Sequence, residues 1–244
     1  MPAGAKSKTF EIRVARSATG GISRGLQSYR VTLEERMTVL DALFLILREH
    51  DATLSFRCAC RVGMCGTCAV EINGIPGLAC KTRAHLLRTS TIVVKPLPHL
   101  PAIKDLVVSL EPFFEQWKRL KPAMRPKDPE SKQLARIDGS TAYAQYSSSK
   151  RDCITCGACY AACGVTGSSG EYFGPAAINR AFLRILDPRD TAGGERLELV
   201  QQERSGIWRC HTQFNCTSVC PKGITLTDTI NRLRRAALFP ESLR

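Results

Sequence analysis

Eleven of the twelve cysteines in this 244-residue chain fall into three short runs, and their spacing restricts the possible folds more than any other feature. Cys60, Cys65 and Cys68 are spaced C-x4-C-x2-C, with Cys80 following after eleven residues. Cys153, Cys156, Cys159 and Cys163 are spaced C-x2-C-x2-C-x3-C, and Cys210, Cys216 and Cys220 lead into Pro221. Cysteines gathered in this way suit metal binding better than a disulfide framework. The first run has the plant-type spacing for a 2Fe–2S cluster, in which a tight loop points its thiolates inward. Gly63 and Gly66 allow that loop positive φ, so that backbone N–H groups can turn toward the sulfurs. A zinc adaptor would instead need paired C-x2-C knuckles, which the glycine-bearing four-residue loop does not supply.

The second run is that of bacterial ferredoxins, whose fourth cysteine ligates the other cluster of a pair. Its mate is the third run, aligned from its C-x3-C-P end. Counting then assigns Cys153, Cys156, Cys159 and Cys220 to a 4Fe–4S cluster. Cys163, Cys210 and Cys216 are left for the other cluster, because Gln213 stands where a fourth thiolate belongs. Three thiolates predict a 3Fe–4S cluster. Cys58 is the twelfth cysteine. It lies two residues before Cys60, where an extended segment points its side chain away from the ligand face.

The remaining features exclude several function classes. The net charge is +13; three oxidised clusters at about −2 each would reduce it to about +7. The excess is diffuse, with no basic block and no interleaved aromatics of the kind that bind nucleic acid. It reads as solubility and steering toward acidic partners or anionic headgroups. Residues Met1 to Lys8 carry no apolar signal region. The longest apolar run, Ala42 to Leu47, is far short of the ~20 residues of a membrane span. A reducing cytosol, or the cytosolic side of a membrane, is the expected setting.

Phe10, Ile12 and Val14, then Tyr29, Val31 and Leu33, alternate with polar residues on either side of Gly20-Gly21 and predict a hairpin. Thr38 and Asp41 predict the capped start of a helix reaching about His50, with Val39, Leu40, Leu43, Phe44 and Leu47 as its apolar stripe. Val70 and Ile72 end in an Asn73-Gly74 turn, and Thr91 to Val94 closes a β-grasp order. Pro96, Pro98 and Pro101 mark a boundary. Residues 121–150 read as a polar surface connection with one short helix, and helices are expected from Gly174 to Ile185 and from Leu226 to Leu238. The predicted class is α+β, with a plant-type ferredoxin β-grasp domain in residues 1–98 and an all-α bacterial-ferredoxin-like domain in residues 99–244.

SFRCACRVGMCGTC with GLAC, AIKDLVVSLEPFF, CITCGACYAAC, YFGPAAINR and WRCHTQFNCTSVCPKG together resemble the iron–sulfur subunits of succinate dehydrogenase (succinate:quinone oxidoreductase) and fumarate reductase. The resemblance spans nearly the whole chain. It implies a wire of 2Fe–2S, 4Fe–4S and 3Fe–4S clusters between a flavoprotein partner, which carries FAD and the dicarboxylate site, and a membrane-anchor cytochrome b partner with quinone and haem b. It places no catalytic residue on this chain, and by position it implies Trp208, His211 and Lys222 near the quinone. Ubiquinone-type members follow the fourth cysteine of the middle run with Pro-Ser and a tryptophan pair. Here Gly164-Val165-Thr166-Gly167 follows Cys163, which implies menaquinone. The resemblance also implies attachment to the cytoplasmic face of a prokaryotic inner membrane. The alternative readings are a fumarate reductase subunit running the reverse reaction, or a subunit of a soluble thiol-linked fumarate reductase.

The ligand count yields a first prediction. Cys58→Ser should leave the visible absorption of the 2Fe–2S centre intact, whereas Cys65→Ser should alter or remove it. Equal loss in both variants would count against the assignment.

Overall fold

The two alternating segments do pair. In the computed structural model, which describes residues 7–130 and 134–243, β1 (Ser7–Ser17) and β2 (Ser23–Glu34) form an antiparallel hairpin. Phe10, Ile12 and Val14 on β1 and Tyr29, Val31 and Leu33 on β2 are all buried. β3 (Ala69–Ile72), β4 (Ile75–Leu78) and β5 (Thr91–Lys95) complete a sheet of order β2-β1-β5-β3-β4. β1 and β5 are parallel and the other pairs antiparallel, which is the β-grasp arrangement. A small hairpin, β6 (Ala102–Lys104) and β7 (Val107–Val108), follows. β4 was not expected from sequence, because Pro76 and Gly77 interrupt its pattern.

The described helices are, in order, α1 (Val39–Leu45), α2 (Glu111–Arg119), α3 (Ala142–Lys150), α4 (Ala158–Ala161), α5 (Gly164–Ser168), α6 (Pro175–Leu186), α7 (Gly193–Val200), α8 (Asn215–Ser218) and α9 (Leu226–Leu238). α1 begins with the expected capping box. The Asp41 N–H donates to Thr38 Oγ1 at 3.2 Å, and the Thr38 N–H donates to Asp41 Oδ2 at 2.8 Å. It then widens into a π-turn over Ile46–His50. Val39, Leu40 and Leu43 are buried as expected, but Ala42 and Ile46 join them, while Phe44 and Leu47 are only half-buried.

The described part of residues 1–110, together with Ile154–Ala162, forms one compact unit. Asp105 is fixed at its base, accepting from the N–H groups of Ser17 (2.8 Å) and Ser55 (2.9 Å) and from Arg16 Nε (3.1 Å).

The described parts of residues 111–153 and 163–244 form the second unit, which is helical. Its core gathers Tyr172, Phe173, Ile178 and Phe182 around α6 with Val200, Ile207, Ile230 and Leu233. Among the described residues no helix is long and apolar enough to cross a membrane. The chain is thus α+β, a β-grasp ferredoxin fold followed by a helical one.

Residues 121–130 and 134–141 are largely exposed and α3 is the one short helix among the described residues of 121–150, as expected of a surface connection, while 131–133 lie outside the described residues; only the end of α3 departs from that reading. α3 ends on Lys150, which is only 2% exposed. Its ammonium donates to Thr229 Oγ1 (2.8 Å) and Thr225 Oγ1 (3.1 Å), and it pairs with Asp228 at 3.3 Å. The Lys150 carbonyl accepts from Asn179 Nδ2 at 2.9 Å. One lysine therefore ties α3 to α6 and α9, three residues before Cys153. Removing it strips a donor from Thr225 and Thr229 at a buried site and leaves a void where its stem packs, which costs about 3 kcal/mol; Asp228 is 43% exposed and keeps its pair with Arg232. Lys150→Ala should lower the unfolding free energy by about that amount in urea titrations followed by helical circular dichroism, whereas an unchanged midpoint would show that the lysine is not an anchor.

Candidate metal centres

The first run forms a loop between the π-turn and β3. Arg61, Gly63 and Gly66 all have positive φ (58°, 77° and 74°). These left-handed residues curl the chain around Cys60, so that the N–H groups of Met64 and Cys65 donate to its Sγ at 3.2 and 3.3 Å. Backbone donors aimed at sulfur are what an anionic thiolate cage requires. The Arg61 guanidinium lies 4.4 Å from the Phe44 ring centroid, and Phe44 packs edge-on against Phe56 at 5.1 Å. A positive charge is thereby held beside the loop on an aromatic support.

The thiols of this loop are not equivalent. Hydrogen bonds from the Thr67 side chain and from the Cys60 backbone bring Cys65 down to about 6. Burial pushes Cys68 up to about 12. A thiol as buried as Cys68 ionises only beside positive charge, as at a metal. The residues of the loop therefore fit a 2Fe–2S cluster. Cys80 is buried at the end of β4, and Cys58 is half-buried.

Gly66 faces the second run. A Cβ built on Gly66 would lie 2.8 Å from the Cys156 Cβ and 2.9 Å from the Ile154 carbonyl oxygen. Within this unit the first cysteine loop and the Cys156 turn thus touch with no atom to spare. Cys159 is buried on α4, behind Gly157 at φ 80°. Cys153 is half-buried after α3. Cys220 is half-buried after α8 and accepts from the Ile224 N–H at 3.4 Å.

The third set comes together within the helical unit. Cys163, Cys210 and Cys216 line one recess, with Gln213, His211, Tyr172 and Thr227 among its other walls. Burial pushes the thiols of Cys163 and Cys216 up. The loop from Cys210 to Cys216 carries two more left-handed residues, Thr212 (φ 57°) and Phe214 (φ 62°), and the Thr212 N–H donates to Cys210 Sγ at 3.4 Å. Arg234, on α9, clamps this loop. It donates to the Ile207 carbonyl (3.1 Å), to Thr212 Oγ1 (3.1 Å) and to the Cys210 carbonyl. Among the described residues no three His, Cys, Asp or Glu side chains converge tightly enough for a single metal ion. Three cysteines lining one recess are the donor chemistry of an iron–sulfur core.

Of the residues expected near a quinone, His211 lines the recess, whereas Trp208 and Lys222 do not. Trp208 is 43% exposed in the turn before Cys210, and Lys222 is half-buried after Cys220. Spacing arguments missed Tyr172, Arg234 and the exposed Phe214. For Arg234 a signal was present: it lies four residues after the buried Ile230, so α9 carries a charge on its inward face.

Comparison with known proteins agrees with this geometry. The family model for a 2Fe-2S iron-sulfur cluster binding domain matches residues 11–115, and that for a 4Fe-4S dicluster domain matches residues 149–224. The mitochondrial succinate dehydrogenase (ubiquinone) iron-sulfur subunit 1 of Oryza sativa subsp. japonica is 37% identical over 97% of this chain and 84% of its own length. The mitochondrial succinate dehydrogenase (ubiquinone) iron-sulfur subunit of Candida glabrata is 36% identical over 88% of this chain and 85% of its own. A chain in a solved structure of the Mycobacterium smegmatis Sdh1 complex in the apo form superposes with a TM-score of 0.86 at 27% identity, covering 96% of this chain and 98% of that one. The curated relatives overturn one expectation. They are mitochondrial subunits, so a mitochondrial location is indicated rather than the cytoplasmic face of a prokaryotic inner membrane. The physical reason is that cysteine spacing follows cluster geometry and carries no imprint of the compartment.

The contact at Gly66 gives a further prediction. Alanine there adds a Cβ against Cys156 at a left-handed backbone position, a strain of about 1–3 kcal/mol. Gly66→Ala should lower the 2Fe–2S absorption per chain and slow electron passage beyond that centre. Unaltered cluster content with unaltered transfer would show that the contact is slack.

Proposed function

The chain belongs to the family of succinate dehydrogenase iron–sulfur subunits, and from that premise we propose that it relays electrons from the FAD of a flavoprotein subunit to quinone at a membrane-anchor cytochrome b subunit. As an iron–sulfur subunit it is one part of an oxidoreductase complex, and it binds 2Fe–2S and 4Fe–4S clusters. Iron–sulfur clusters, when bound, supply one-electron chemistry, with potentials set by ligation, hydrogen bonds and burial. The substrate site and haem b are assigned to partner subunits.

Residues 1–98 are proposed to carry the 2Fe–2S cluster on Cys60, Cys65, Cys68 and Cys80. Residues 99–244 are proposed to carry the other two clusters. Their spacing assigns Cys153, Cys156, Cys159 and Cys220 to 4Fe–4S, and Cys163, Cys210 and Cys216 to 3Fe–4S. One observation carries the reading: three cysteines and Gln213 line a single recess, and Gln213 is the residue that stands where the ferredoxin spacing calls for a fourth thiolate. An amide is neutral and a poor substitute for a thiolate, so one iron corner has no anionic ligand.

Trp208, His211 and Lys222 are proposed to serve the quinone, with the Lys222 charge and the His211 ring as polar contacts. Gly164-Val165-Thr166-Gly167 supports menaquinone, since α5 offers no tryptophan there, although the curated relatives are named as ubiquinone proteins.

The deciding experiment concerns Gln213. The oxidised native chain should show a 3Fe–4S EPR signal, and Gln213→Cys should replace it with a signal seen only on reduction, as a fourth iron binds. The potential of that centre should fall and quinone reduction should slow. A native chain with no such signal when oxidised would overturn the ligand count.

A further inference from the structure

Tyr172 precedes α6 and is 1% exposed, yet its hydroxyl is a buried polar atom with no hydrogen-bond partner among the described residues. It lines the recess walled by Cys163, Cys210 and Cys216. His211, Gln213 and Asn215 also line the recess, but none of their side chains hydrogen-bonds the phenol. Arg234 serves two carbonyls and Thr212, and Thr227 faces both Thr217 and Cys216. A buried phenol that donates to nothing is an expensive state, and native structures resolve such states with a partner. The hydroxyl lies in the wall of a recess lined by three cysteines, so a group filling that recess is a partner within its reach.

We propose that the Tyr172 hydroxyl donates a hydrogen bond to a sulfur of the centre held by Cys163, Cys210 and Cys216, and thereby raises its reduction potential. This rests on the three-thiolate reading above. Reduction adds one electron to the centre and no bond breaks; the proton stays on the phenol oxygen. A donor to cluster sulfur stabilises the more negative, reduced form, and burial strengthens the effect by lowering the local dielectric. Tyr172 is thus a tuning residue, neither a ligand nor a proton carrier. Its ring also belongs to the helical core, and that role alone would be kept by phenylalanine.

The test is a redox titration of the three-iron EPR signal in the native complex and in Tyr172→Phe, with iron content measured alongside. At a fixed ambient potential the reduced-to-oxidised ratio should fall about tenfold, equivalent to about 59 mV for one electron. Placing 3-fluorotyrosine at position 172 keeps the shape and makes a stronger donor, so the ratio should rise. An intact cluster with an unchanged midpoint in both variants would overturn the proposal. If Tyr172→Phe fails to assemble the cluster, the fluorotyrosine variant decides alone: an upward shift supports the hydrogen bond, and no shift overturns it. Absence of the signal from the unaltered complex would overturn the three-thiolate reading itself, and this inference with it.

Discussion

The structure is organised by the need to wrap backbone around anionic sulfur. A thiolate cage is negative, and the only abundant donors close enough to meet it are main-chain N–H groups. Ordinary right-handed or extended backbone points successive N–H groups away from one centre. Left-handed residues break that pattern, and they occur in all three cysteine runs: Arg61, Gly63 and Gly66 in the first, Thr155 and Gly157 in the second, Thr212 and Phe214 in the third. Four of these seven are not glycine, so each needs its surroundings to hold it in an unfavourable conformation.

Those surroundings are the two folds. Arg61 is stacked on Phe44, which the helix after the capping box presents. Thr212 is hydrogen-bonded by Arg234, which also fixes the Ile207 and Cys210 carbonyls. Lys150 secures the helix that leads into Cys153. In each case a cation is engaged in or beside a segment that carries ligand cysteines. The helical core is continuous with the third centre, since Cys163 and Cys210 pack against the same cluster of apolar residues as Tyr172 and Phe173.

Much of this was legible in the amino-acid order. Cysteine spacing is dictated by cluster geometry, so it reports the centres directly. The Thr38–Asp41 box and the Leu226–Leu238 helix were legible because each is decided by local chemistry. What escaped was set by long-range contact. The π-turn at Ile46–His50 was not foreseen, since nothing in a periodic pattern announces an extra residue in a turn. Lys150 read as a surface residue because its partners, Thr225, Asp228 and Thr229, lie more than seventy positions away. Tyr172 stood out in the sequence only as part of YFGPAAINR, and only burial without a partner marks its hydroxyl. The membrane setting was misjudged because no residue in the ligand loops encodes it.

The absent side chain at Gly66 has a consequence for rate. Electron tunnelling falls off exponentially with the gap to be crossed, and a gap bridged by mobile side chains would fluctuate from moment to moment. At Gly66 the first cysteine loop rests on the Cys156 turn at van der Waals distance, with even a methyl group excluded. Atomic radii, rather than a hinge or a rotamer, define the spacing on this side of the chain. The smallest residue in the protein works there as a gauge block, and any replacement would act as a shim.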